Sequence, residues 1–251
     1  MLKFVLRNRR QVCYNIFMRK YKQKRKLWYR GLKQIMKIRY KKPRYVYLSE
    51  KPTNGTIILS NHEGTDAPMA LEIYADYPVR MWGTYEMNSG LKRLYKYQTK
   101  IYYYEKKHWN LHLARLFCLI ASPLTHLFYK GLNLISTYQD SRFRTTLKQS
   151  IESIVDKKEN LVIFPEKSPN GYVAELEGFY AGFVMLAKTL YKQGIDIPIY
   201  VAYYHKKQRL YVFEKPILFS ELNKICATRD EMAKYLLDRC NNLSTYQYIT
   251  K

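Results

Sequence analysis

Two segments carry residue types able to move a proton. The first is Ser60-Asn61-His62-Glu63-Gly64-Thr65-Asp66-Ala67-Pro68, entered from the apolar run Thr56 to Leu59. A neutral imidazole can take a proton from an alcohol. A carboxylate on its other nitrogen fixes the tautomer and stabilises the imidazolium that forms. His62 as base and Asp66 as its partner are the catalytic candidates. A loop His beside an Asp that merely caps the next helix accounts for the same residues without chemistry. The second segment is Phe164-Pro165-Glu166-Lys167-Ser168-Pro169-Asn170-Gly171, a buried-type strand stopped by Pro and followed by turn residues. Glu166 at such a strand end is placed to bind a hydroxyl or a backbone amide, and a solvated Glu in a β-turn is the plainer alternative. His108 and His112 stand four apart with Glu105 and His126 nearby. No thiolate or carboxylate cluster joins them, so no metal site is expected.

In this order, about 100 residues apart, the two segments resemble motifs of the glycerolipid acyltransferase family, which includes the lysophosphatidate (1-acylglycerol-3-phosphate) acyltransferases. Asn61-His62 matches the first motif and Phe164-Pro165-Glu166 the third. Leu176-Glu177-Gly178-Phe179-Tyr180-Ala181-Gly182-Phe183 looks like the stretch that opens the following helix, and Ile197-Pro198-Ile199-Tyr200-Val201-Ala202 resembles a fourth motif. The likeness covers roughly Lys51 to Pro216. It implies acyl transfer from a thioester, acyl-CoA or acyl carrier protein, to the hydroxyl of a lysophospholipid in phospholipid biosynthesis. No resident cofactor is implied, because the thioester is a substrate. His62 would be the general base, Asp66 its orienting partner, and Glu166 an acceptor ligand.

The sequence departs from the family at three places. Three residues separate His62 from Asp66, where the family has four. Gln139 stands where the second motif carries an Arg, and Lys167-Ser168-Pro169 replaces Gly-Thr-Arg in the third. Arg grips phosphate through a planar fork and Lys only as a point charge. Either Lys167 and Arg142 grip an acceptor phosphate, with Gly171 in the turn beside them, or the lysolipid carries another head group. A lipid-binding relative of the same fold without catalysis is the nearest rival.

These segments need strands and helices to hold them. Apolar runs at Thr56 to Leu59, Pro78 to Tyr85, Leu134 to Tyr138, Leu161 to Phe164, Ile197 to Tyr203 and Leu210 to Phe213 read as strands. Leu147, Ile151, Ile154 and Val155 mark one helix, and Phe179, Phe183, Leu186 and Leu190 another. Thr228 and Glu231 form a capping box for the last. The alternation predicts an α/β domain with a mostly parallel central sheet flanked by helices, with sites at the carboxyl ends of its strands.

Charge locates the domain. The chain has 251 residues and a net charge of +24, and 17 of its 44 Lys and Arg precede Glu50, the first acidic residue. The rest sets 27 cations against 20 carboxylates, only +7. Residues 1–49 are therefore expected to form a basic amphipathic helical arm and residues 50–251 the α/β domain. Phe17 and Trp28, with Lys22, Lys24, Arg25 and Lys26, are the candidate contacts to an anionic membrane. Large apolar groups on the arm favour a membrane over nucleic acid, which remains the rival polyanion. The longest apolar run, Leu116 to Tyr129, contains Pro123 and His126 and falls short of a bilayer span, so it reads as a buried helix or a second interfacial element. The four cysteines lack metal spacing. The expected setting is cytoplasmic, peripheral on the membrane surface.

Overall fold

The computed structural model describes residues 25–167 and 175–246. Phe17, Lys22, Lys24 and Gly171 lie outside the described residues.

The described residues open with helix α1 (Leu27–Arg39) and strand β1 (Arg44–Tyr47), then β2 (Ile57–Ser60), α2 (Asp66–Tyr74) and β3 (Val79–Thr84). Helix α3 (Leu91–Tyr97) runs on into a π-helical segment, Gln98–Lys106, and helix α4 (Leu111–Leu132) follows. Next come β4 (Ile135–Thr137), α5 (Phe143–Val155), β5 (Asn160–Ile163), α6 (Gly182–Lys192), β6 (Pro198–His205), β7 (Leu210–Phe213), β8 (Ile217–Leu218), α7 (Phe219–Ile225) and α8 (Arg229–Ser244). The strands form one sheet in the order β1-β7-β6-β2-β5-β3-β4, with β8 beside β6. Its centre, β6-β2-β5-β3-β4, is parallel throughout, and among the described strands β7 and β8 pair antiparallel with β6. This is the mostly parallel, helix-flanked α/β architecture that the sequence predicts.

A parallel sheet with helices on both faces must bury every residue of its central strands. All four residues of β2 and of β5 are buried. Alternation sends them to opposite layers. Ile57, Leu59, Leu161 and Ile163 meet Phe183, Leu186 and Leu190 of α6 and Leu236 of α8. Ile58 and Val162 meet Ala67, Ala70 and Leu71 of α2. Asn160, buried at the head of β5, accepts hydrogen bonds from the N–H (3.0 Å) and hydroxyl (2.9 Å) of Thr56, which fixes the β2–β5 register.

Three expectations change. First, packing does not stop at residue 49. Strand β1 pairs in parallel with β7, and Tyr29 of α1 is fully buried in the layer against α2. The apolar stripe expected on the arm splits as well: Leu32 and Met36 face this layer, whereas Leu27, Ile35 and Ile38 are exposed on the other side. Second, Arg25 is no lipid contact. Its guanidinium is buried and donates to Glu72 Oε2 (2.8 Å) and the Leu132 carbonyl (2.5 Å). Glu72 is itself wholly buried and also binds Lys33 (3.1 Å), because a carboxylate in a core needs cations around it. Trp28 and Lys26 keep surface positions, with Trp28 40% exposed. Third, Phe179 does not belong to a helix. It pairs in an antiparallel bridge with Glu166, and α6 starts at Gly182.

Candidate functional site

The carboxyl ends of three neighbouring strands, β6, β2 and β5, converge on one patch. Strand β2 delivers Asn61 and His62. Asn61 is buried and imitates a strand residue: its side-chain amide donates to the Tyr204 carbonyl (3.1 Å) and its Oδ1 accepts from the Tyr204 N–H (2.7 Å). This latches the end of β2 to β6 and so fixes the next residue, His62. Ser60 and Tyr211 hydroxyls meet at 2.6 Å beneath it. After His62 the backbone turns sharply, with Glu63 and Gly64 both at positive φ (42° and 66°). Two consecutive left-handed residues reverse the chain in little length, which is how three residues suffice between His62 and Asp66. Asp66 is then the first residue of α2.

Strand β5 delivers Glu166. Its Oε2 accepts from the His62 backbone N–H (3.1 Å), so the two sequence segments meet through this carboxylate. The segment after β5 is pinned in turn, as the Lys167 N–H donates to the Gly178 carbonyl (2.8 Å) and the Tyr180 N–H to the Pro165 carbonyl (2.7 Å). Lys167 lies over the Tyr180 ring, 5.4 Å from its centroid.

The His62 ring packs on Phe164, with centroids 5.0 Å apart. Burial pushes its pKa down from 6.5 to about 4, the backbone at Gly64 partly offsets this, and the nearby Lys106 charge adds to the lowering. The imidazole is therefore neutral across the physiological range, the form that accepts a proton. Asp66 is held by other partners, Lys206 Nζ at 2.9 Å and Arg39 Nη1 at 3.9 Å. Its hydrogen bond raises the Lys206 pKa. Among the described ion pairs of Asp66, His62 is absent. Glu63 is raised by burial.

Arg142 stands apart from this group. It follows β4, three strand spacings or about 14 Å from β2 along the sheet. It is engaged by Asp140, with Nη2 to Oδ2 at 2.6 Å and Nε to both oxygens at 3.0 Å, and it stacks on Tyr138 (4.5 Å) and Tyr85 (5.2 Å). His62, Asp66, Glu166 and Lys167 thus share the β2–β5 end of the sheet, and Arg142 lies beyond it.

Sequence reasoning passed over Lys206, Arg39 and Lys106. Lys206 follows the carboxyl end of β6, the same signal that singled out His62. His205, the last residue of β6, lies 3.0 Å through Nε2 from the Leu243 carbonyl. Among the described residues no group of three or more His, Cys, Asp or Glu side chains could hold a metal ion. No protein-family model matches the chain, and no curated protein matches it.

Proposed function

We propose that the protein transfers a fatty acyl group from a thioester, acyl-CoA or acyl carrier protein, to the hydroxyl of a lysophospholipid-type acceptor, working peripherally on the cytoplasmic surface of an anionic membrane. The observation that carries this reading is a neutral His62 at the end of the central strand, with Glu166 of the adjacent strand bound to its backbone N–H. Likeness of the Asn61-His62 and Phe164-Pro165-Glu166 segments to glycerolipid acyltransferase motifs supports it, as does the parallel α/β frame.

The chemistry follows from these groups. The acceptor hydroxyl gives its proton to the imidazole as its oxygen attacks the thioester carbonyl. The tetrahedral intermediate collapses, the C–S bond breaks, and the imidazolium returns the proton to the departing sulfur. The enzyme itself forms no covalent bond. Asp66 anchors Lys206, and Lys206 with Lys106 supplies positive charge for an anionic donor or acceptor. Lys167 is the cation of the third segment closest to Glu166. Arg142, committed to Asp140 and three strands away, is not needed for the reaction. The acceptor best fitting this charge is 1-acylglycerol-3-phosphate.

The lipid-binding relative without catalysis draws on one observation, that Asp66 is spent on Lys206 and Arg39. An Asp66→Asn variant separates two roles of Asp66 within the catalytic reading. If Asp66 anchors Lys206, the variant raises KM for the donor with kcat lowered by no more than roughly tenfold. If it orients the imidazole, kcat falls about 10⁴-fold. A wild-type protein that binds lysolipid and transfers nothing supports the non-catalytic reading.

A further inference from the structure

Helix α4 is longer than its sequence suggests and is not buried. It spans 22 residues, about 33 Å, and is apolar and long enough to cross a bilayer by length and composition. One side packs on the domain. There Ala114, Cys118 and Ser122 are buried, and Gln98 of the π-helical segment binds Ser122 (2.7 Å) and Thr125 (2.9 Å). The opposite side is a stripe of Leu113, Leu116, Ile120, Leu124 and Leu127, spaced three, four, four and three apart. It is 48–74% exposed. Phe117 adjoins it and stacks on Trp109 (5.5 Å). A continuous apolar stripe of this length on a soluble surface marks an interaction site.

Charge identifies what covers it. Residues 91–132 hold eight Lys or Arg and one acid, Glu105. Lys92, Arg93 and Lys96 of α3, the helix beside α4, and Arg115 of α4 itself are exposed. Two copies meeting through this face would bring like charges together. An anionic bilayer accepts both the stripe and its cations. The hydrogen bonds of Gln98 tie α4 to the π-helical segment, the other arm of the hairpin. The far end of the helical hairpin is polar, with Lys106, Lys107 and His108 exposed, which opposes insertion end-on.

We propose that α4 lies in the plane of an anionic membrane, with the Leu116–Ile120–Leu124 face sunk among the acyl chains and the α3 cations at the head groups. Lys106, whose charge acts on His62, belongs to the same hairpin. The inference rests on the preceding reading only in taking the partner to be lipid, and it does not require acyl transfer.

The test is flotation of the full chain with vesicles of phosphatidylcholine and phosphatidylglycerol in equal parts, and with phosphatidylcholine alone, over a salt series. Two variants are compared with wild type: Leu116→Gln/Ile120→Gln/Leu124→Gln and Lys92→Gln/Arg93→Gln/Lys96→Gln. The expected result is binding that the apolar variant weakens by roughly 30-fold or more while its circular dichroism is unchanged. The cation variant should lose the preference for anionic vesicles. Quenching of Trp109 by brominated lipid, in a Trp28→Phe background, should accompany binding. Undiminished binding of the apolar variant, or no quenching, overturns the proposal. So does a lipid-free wild-type dimer that the apolar variant turns into monomers. Acyl transfer to a monomeric short-chain acceptor should survive in the apolar variant. Its absence in wild type would count against the catalytic reading and leave the flotation result standing.

Discussion

His62 gains its chemistry from neighbours rather than from its own type. The ring is partly buried against Phe164, and this burial pushes its pKa down to about 4. A pH–rate profile of kcat/KM should then show no acidic limb from this His between pH 7 and about 5. Stability carries the same signature. The unfolded state takes up the proton near 6.5 and the folded state only near 4, so stability is full above 6.5 and declines as pH falls towards 4. A His62→Gln variant should flatten that decline, as measured by urea unfolding across the range. Asn61 acts differently, through the backbone. Removing its amide leaves the Tyr204 N–H and carbonyl without their partner, and Asn61→Ala should cost about 2–3 kcal/mol. The sequence made His62 and Glu166 legible, because each follows an apolar run that ends in polar residues. It hid the partners of Asp66, since Lys206 lies 140 positions away and only the β2–β6 pairing brings it near.

At the scale of elements, α1 is held to the domain by one buried aromatic and one buried carboxylate. Tyr29 sits where Gly131 of α4 leaves room. A Cβ there would come within 1.9 Å of the Tyr29 ring, so Gly131→Ala should loosen α1 and cost at least about 2 kcal/mol. Glu72→Gln would leave Arg25 and Lys33 with no carboxylate to answer them, with an expected loss of roughly 3–5 kcal/mol in denaturant unfolding. Strands such as Leu210–Phe213 were readable from apolar runs alone. The split of α1 into an inner and an outer apolar face was not, because periodicity reports that a stripe exists and not which side meets the protein. Helix α4 shows the same limit. Its composition suited either a buried helix or an interfacial element, and the hydrogen bonds of Gln98 with the exposure of Leu116, Ile120 and Leu124 show which face packs and which is left open.

For the whole molecule, charge and apolar surface describe a protein with two basic, partly apolar regions, the amino-terminal arm and the α3–α4 hairpin. The composition revealed the first because 17 cations precede any acid. The second was masked by the Tyr-rich sequence around it. The sheet carries His62, Glu166 and Lys206 after the carboxyl ends of β2, β5 and β6, where the proposed reaction would take place. The central claim is that this site moves an acyl group through His62. Its most direct test gives purified wild type and His62→Ala a labelled acyl-CoA or acyl carrier protein with a panel of lysophospholipids, and follows the product by mass spectrometry. Wild type should form diacyl product from at least one acceptor, and His62→Ala should lose roughly 10³-fold or more of that rate. Equal rates in the two proteins, or no product from any donor and acceptor pair, would contradict it.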